Sequence, residues 1–405
     1  MASLFSATDN SSTNRHEGNK GRRRVVHILP WLGGGGVEQR RYLMAQYLDD
    51  EKYEQNLVYM TAENDWLSLF EQEGVRLIHV PGAKAWSPTD FKAIGAIARH
   101  LRRIDPDIVH GAVFEGVSMA TFAGRLAGIQ NIIIEETGDP SIRRLGGNLL
   151  MGLYSALVTA CVGVSRPVSD YFTQTLHTPE SKVFCIENGV RAMSPPTAEE
   201  KRTWRHQWGI SDNDIVIGSV GRMNDEHKRF SGLIDLVPTL REQNLPVKLL
   251  LVGDGQDLEK LQNRAKSLDI SDHVVFPGFQ REIESFFGMM DIFALLSFQE
   301  AFGLVVAEAM MCELPTVITS VGGMKYLTVD GKTGFQVPGD TPEAAEAPLR
   351  KLIEDESLRN TMGASGRERA LEKYSHQAYI EKVEKLYGEL LGKSDGRVSK
   401  SPFSI

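Results

Sequence analysis

Short apolar runs alternate with amphipathic stretches along most of this chain. Val25–Leu29, Gln55–Met60, Arg76–Val80, Ile108–His110, Ile132–Glu135 and Ala160–Val164 read as strands buried on both faces. Between several of them, Val37–Leu48 and Phe91–Arg103 carry apolar residues at helical spacing. Strand, helix and strand in this order make crossover units, which build parallel sheets with helices on both faces. The pattern breaks after Asn188-Gly189, where Arg191–Lys201 carries Pro195-Pro196 and reads as a linker. It restarts with strands Ile215–Val220, Lys248–Val252, Val274–Phe276, Ile292–Leu295 and Thr316–Thr319. Helices around Ser231–Arg241, Leu258–Ser267, Ile283–Met289 and Glu308–Met311 separate them. The expected fold class is α/β, two doubly wound Rossmann-like domains spanning 22–190 and 191–375. A last helical pattern, Gln377–Leu391, predicts that 376–391 packs back on the first domain. Residues 1–21 read as a disordered leader and 392–405 as a tail.

At roughly 150 residues per domain, 405 residues suit such an arrangement. Lys and Arg number 45 against 53 Asp and Glu, a formal charge of −8. That excludes a general nucleic-acid binder, which needs a cationic face for phosphates. Three cysteines, Cys161, Cys185 and Cys312, are too widely spaced for a disulfide framework or zinc module and fit a reducing compartment. The leader has no apolar core long enough for a signal peptide. Leu149–Val164, the most apolar stretch, is shorter than the ~20 residues of a bilayer span. It reads as a buried helix running into a strand. Arg22-Arg23-Arg24 is open to two readings, a contact with an anionic membrane surface or a solvated strand entrance.

In open parallel sheets ligands lie at the carboxyl ends of strands, so the residues just after each strand carry the chemistry. Gly33-Gly34-Gly35-Gly36-Val37-Glu38 joins a strand to a helix, where glycine amides and the positive helix end suit a phosphate or sugar. It is not the Gly-x-Gly-x-x-Gly of a dinucleotide site. His110 ends its expected strand facing the crevice, as a candidate hydrogen-bonding or polarising group, a structural role being the alternative. Arg222 and Lys228 bracket the loop after Ile215–Val220. They suit a diphosphate clamp, the alternative being surface salt bridges with Asp225 and Glu226. Glu300 and Glu308 straddle a glycine turn after Ile292–Leu295, with the amides of Phe302, Gly303 and Leu304 between them. Asp105-Pro106-Asp107 and Asp212-Asn213-Asp214 precede strands and read as turn chemistry. No His, Cys and carboxylate cluster suggests a metal.

In order and spacing, these pieces closely resemble the group 1 (family 4) retaining glycosyltransferases, over about residues 24–390. The resemblance rests on Gly35-Gly36-Val37-Glu38, Pro106-Asp107-Ile108-Val109-His110, Val164-Ser165, Asn188-Gly189-Val190 and Gly221-Arg222 with Lys228. Later it rests on Gly253-Asp254-Gly255, the Glu300/Glu308 pair, Gly322-Gly323 and Asp330–Phe335. It implies the GT-B arrangement, two such domains facing a central cleft. It implies catalytic roles for Glu300 and His110, a donor diphosphate held by Arg222, Lys228, Gly35 and Gly36, and a ribose on Glu308. Phe302, Gly303, Leu304 and Gly253 would hold sugar or nucleotide, with the base near Gly278 and Phe279. The partners implied are a nucleotide sugar and a glycan or lipid-linked acceptor of bacterial surface polysaccharide synthesis. No cofactor and no metal are required, because Arg222 and Lys228 take the cation's place. The expected location is cytoplasmic, with a peripheral contact at the inner membrane face for a lipid-linked acceptor. A GT-B-fold nucleotide-sugar epimerase and a non-catalytic nucleotide-sugar-binding protein are the alternatives. The chain departs from the family pattern at Met324-Lys325-Tyr326, at Arg229, where glycine is usual, and at Arg191.

Overall fold

The computed structural model describes residues 21–33, 35–80 and 90–394. Residues 1–20 of the expected leader, Gly34, and residues 395–405 of the expected tail lie outside this range.

Two all-parallel sheets hold the chain. The first contains β1 (Arg23–Ile28), β2 (Tyr53–Tyr59), β3 (Arg76–His79), β4 (Ile108–Ala112), β5 (Asn131–Glu136), β6 (Ala160–Gly163) and β7 (Val183–Cys185). Their order is β3-β2-β1-β4-β5-β6-β7. The second contains β8 (Ile215–Val220), β9 (Val247–Val252), β10 (Val274–Gly278), β11 (Ile292–Leu295), β12 (Thr316–Thr319) and β13 (Gly334–Val337), ordered β10-β9-β8-β11-β12-β13. Every residue of β4 and β5 is buried, as a strand covered on both faces requires. In each sheet the order in which strands are added reverses, between β1 and β4 and between β8 and β11. A crevice opens at such a point.

The helices follow from local chemistry. In Phe91–Ile104 the Asp90 carboxylate caps the amides of Lys92 and Ala93, and Ala93, Ile94, Ile97, Ala98, Leu101 and Ile104 form the buried face. Asp105 ends the helix in the left-handed region (φ 50°), and Pro106 forbids continuation. Four helices position the site: α1 (Gly36–Tyr47), α2 (Leu145–Leu157), α3 (Leu304–Met311) and α4 (His376–Ser394). The expected helix at Glu308–Met311 begins a full turn earlier, at Leu304.

The expectation of a buried helix before β6 needs correction. Met151, Tyr154 and Ser155 of α2 face inward, but Leu145, Leu149 and Leu153 are 76%, 69% and 47% exposed. The helix carries no charged residue, so nothing in its composition marks the outward side. Helix α4 lies on the first domain: Tyr379, Ile380, Val383, Leu386, Tyr387 and Leu390 pack with Val25, Ile108 and Ile133. The two chain crossings between domains run side by side, with the Val190 amide donating to the Tyr374 carbonyl (2.8 Å). The basic entrance to β1 is tied inward, Arg23 pairing with Asp107 (3.0 Å) and Arg24 donating to the Ile104 carbonyl. Asp107 is thus a strand-start acceptor, and Asp212 faces Arg202 and His206 (both 3.5 Å).

Candidate active site

Three glycines floor the second domain's half of the cleft. The Gly221 amide donates to the Val252 carbonyl and the Gly253 amide to the Gly278 carbonyl, both at 3.0 Å, so the ends of β8, β9 and β10 are laced together. Gly253 has φ +140°, and any Cβ there would run into the Gly221 carbonyl, so only glycine fits. Fully buried Met223 anchors the loop that follows. On this base Arg222 is exposed and has no ion pair or side-chain hydrogen bond among the described residues. Lys228 does not pair with Asp225 or Glu226. Its stem lies along Gly221, and its ammonium forms an ion pair with Glu300, both side chains about one-fifth exposed. The surface-salt-bridge alternative for this loop is thereby set aside. Phe279, 67% exposed, stands beyond Gly278 as an open aromatic face.

The loop bearing Glu300 is tied to the lysine loop and to the glycine pair. The Phe298 amide donates to the His227 carbonyl (2.8 Å), and Gln299 Nε2 lies 2.8 Å from His227 Nδ1. Behind, the Gly323 amide donates to the Glu300 carbonyl (3.0 Å), a contact close enough to exclude a Cβ at Gly322. Phe302 is buried against Tyr374, ring centroids 5.7 Å apart, so it offers its backbone rather than its ring to the cleft. Gly303, in the left-handed region at φ +98°, starts α3. The first amides of α3, at Leu304 and Val305, have no partner within the helix and present its positive end. Glu308 lies one turn further along. Burial pushes its carboxyl up to about 7, and no described side chain pairs with it. A carboxyl so placed gains by accepting hydroxyl hydrogen bonds from a ligand.

The first domain closes the site from the opposite side. Gly35 and Gly36 begin α1, and Leu304 of α3 occupies the space a Cβ on Gly36 would need. Two helix N-termini, one from each domain, therefore converge near the Lys228–Glu300 pair, an arrangement suited to an anion carrying two phosphates. Glu38 is 4% exposed and accepts from the Gly33 amide (3.2 Å), so it braces the glycine turn. Sequence reasoning missed Asp139: one carboxylate oxygen caps the Ser141 amide (2.9 Å), and the other points across the cleft toward Gly322. Beside it Arg143 pairs with buried Glu136 and lies 4.8 Å over the Phe114 ring.

His110 does not face the crevice. The strand continues through Gly111 and Ala112, leaving His110 mid-strand and 3% exposed. Its Nδ1 lies 2.9 Å from the Tyr387 hydroxyl of α4. Burial, then the nearby Arg41, hold its ring well below the usual imidazole range, so it is neutral. Around it Glu135 is shared by Arg40 (2.6 Å) and Arg41 (2.7 Å), all three sealed from solvent, and Arg40 also donates to the side-chain Oδ1 of Asn188. This cluster fastens α1, and hence the Gly35-Gly36 turn, to β5 and the interdomain crossing. Two adjacent arginines in a helix ordinarily read as a solvated face, so the sequence carried no signal for it.

Among the described residues no group of three or more His, Cys, Asp or Glu side chains converges as a metal site. None of their helices is long and apolar enough to cross a membrane.

The family model for group 1 glycosyl transferases matches residues 200–369, and that for the glycosyl transferase 4-like domain matches 35–189. The chain belongs to the group 1 glycosyltransferases. It is 32% identical over 194 residues to N-acetyl-alpha-D-glucosaminyl L-malate synthase of Bacillus anthracis, covering 46% of this chain and 49% of that protein. It is also 32% identical over 222 residues to the capsular polysaccharide biosynthesis glycosyltransferase CapM of Staphylococcus aureus, covering 53% and 56%. These matches span about half the length of those relatives. The fold is that of Anabaena HepE, crystallised with UDP and glucose. Its TM-score is 0.80 at 17% identity, covering 91% of this chain and all of the other.

Proposed function

We propose that this chain moves a sugar from a nucleotide-diphosphate sugar to a glycan or lipid-linked acceptor of a bacterial surface polysaccharide, with retention at the anomeric carbon. The observation that carries the reading is the meeting of the amino ends of α1 and α3 at Gly36 and Leu304, with Lys228 paired to Glu300 in the loop that leads into α3. Among the described residues Arg222 has no ion pair or side-chain hydrogen bond to give up. Lys228 exchanges Glu300 for the diphosphate, and the Gly36 and Leu304 ends add oriented N–H groups. Glu308 accepts from the ribose hydroxyls, and the base lies on Phe279. As the bond to the sugar breaks, the charge growing on the leaving phosphate is met by fixed cations, so no metal is needed for that task. The same phosphate takes the acceptor's proton, and Glu300, freed from Lys228, faces the sugar. His110 acts here as a positioning residue, holding the sheet beneath the turn rather than touching substrate.

The likeness to HepE and its bound UDP puts UDP-sugars first in a calorimetric panel that also includes GDP-, ADP- and dTDP-sugars, run without divalent ions. A ligand that binds the native state raises its melting temperature. One hit, followed by transfer to an acceptor with the donor's anomeric configuration in the product, supports the reading. Turnover abolished by EDTA and restored by a divalent ion overturns the cation-for-metal assignment. Silence across the panel favours a non-catalytic protein, and donor isomerisation without an acceptor favours an epimerase.

A further inference from the structure

We infer that Asp65 of the first domain positions the donor-base loop of the second, its ion pair with Arg281 latching the base end of the cleft shut. Arg281 follows Phe279 by two residues in the loop after β10, and its guanidinium donates to the Asp65 carboxylate at 2.5 Å. The partners are 216 residues apart and stand on opposite domains. Each is carried on a braced element. Asp65 lies in the first turn of the helix Asn64–Gln72. Trp66 and Phe70 of that helix pack edge-on to Tyr42 of α1, ring centroids 6.1 and 5.8 Å apart. Asp65 is thereby tied to the helix that begins at the Gly35-Gly36 turn. On the other side Gln280 donates to the Pro277 carbonyl (2.9 Å), fixing the loop to the end of β10.

The side chains of Asp65 and Arg281 are 65% and 61% exposed, so the pair adds little to folding. Within one domain it would be inconsequential. Across a cleft it acts on a different equilibrium, between the two domains apart and together, where a few-fold change in population passes directly into ligand affinity. The domains come close at two further places along the cleft, Leu304 at Gly36 and Asp139 near Gly322. Neither of these joins opposite charges, whereas the Asp65–Arg281 pair attracts before contact and yields to salt. Exposed Phe279 rides on the same loop, so the latch also decides how firmly an aromatic face is held against a nucleobase. A purely local role for Asp65, as an acid in the first turn of its helix, would make Arg281 irrelevant to it. The inference deepens the donor reading above and rests on it for the identity of the base.

The test is a charge-reversal cycle on the full chain: Asp65→Lys, Arg281→Glu and the two together. Small-angle scattering without ligand reads the separation of the domains, and calorimetry with UDP reads the site. Each single change should enlarge the radius of gyration and weaken UDP binding about three- to fivefold, with an unchanged melting temperature. The double change should restore both. In the parent, high salt should mimic the single changes, and Arg281→Gln should remove that part of the salt response. Single variants that keep the parent's scattering and affinity, or a double variant as impaired as the two changes summed, overturn the inference. So does a loss confined to Asp65→Lys, which assigns Asp65 to its own helix. If the parent does not bind UDP, the donor reading fails and the scattering cycle alone decides. Expanded single variants with a compact double then support the latch, and four equal profiles overturn it.

Discussion

Gly36 and Leu304 are the first residues of two helices in different domains, and the leucine side chain fills the place a Cβ on the glycine would take. The contact sets how closely the two helix ends approach. Gly36→Val should hold the domains apart and lower turnover about tenfold or more, since misplacing reacting groups by an ångström is costly. Leu304→Ala in the same chain should recover much of that loss. A double variant no better than Gly36→Val would show that the glycine serves its own turn and not the approach.

Arg222 is exposed and makes no ion pair or side-chain hydrogen bond among the described residues. Arg222→Ala should leave stability within about 0.5 kcal/mol of the parent and weaken nucleoside-diphosphate binding about tenfold or more, read by calorimetry. Lys228→Ala should weaken that binding too, and Glu300→Ala should lower turnover while retaining it. Unchanged binding in both cation variants would remove the diphosphate site from this loop.

Glu308 gives a pH signature. Its carboxyl sits at about 7 in the fold and near 4.5 in the unfolded chain, so between those values the unfolded state holds fewer protons and stability falls as pH rises. The deficit is complete above about 7. Glu308→Gln should match the parent at low pH and exceed it at about pH 8 by about 3 kcal/mol, measured by denaturant unfolding. A variant equal to the parent at both would mean the carboxyl is hydrated in the open cleft.

His27 and His110 act in the opposite sense. Both rings are held well below the usual range, chiefly by burial and then by Arg41. The unfolded chain therefore binds protons first, and stability is lost as pH falls below about 6.5, by up to about 1.4 kcal/mol per pH unit for each ring. Unfolding titrations in a Glu308→Gln background isolate this slope, and His110→Gln should halve it. Normal stability with abolished transfer in His110→Gln would return His110 to the chemistry.

The apolar runs placed the strands well. Ile215–Val220, Ile292–Leu295 and Thr316–Thr319 have the ends their sequences predict, because a parallel strand covered on both faces shows a bare stretch of apolar residues between polar loops. The second domain's candidate residues were placed for the same reason: Arg222 and Glu300 lie in the segments just after those strands, and Lys228 ends the one-turn helix Asp225–Lys228 that follows Arg222. His110 was misplaced because Gly111 and Ala112, small and uninformative, conceal that the strand continues. Buried Arg40 and Arg41 were invisible because their partner Glu135 is some ninety residues away. Arg229, a departure from the usual glycine, adopts the left-handed conformation itself (φ 52°), held by the Gly339 carbonyl and the Phe298 ring.

Helix α4 has a consequence for how the chain comes off the ribosome. It covers Val25, Ile108 and Ile133, so the first domain remains uncapped along one sheet face until residues 376–394 have emerged. The second domain's own strands and helices are all available before then. Domains made during synthesis commonly fold in the order they appear. Here the domain begun first is the last to be completed.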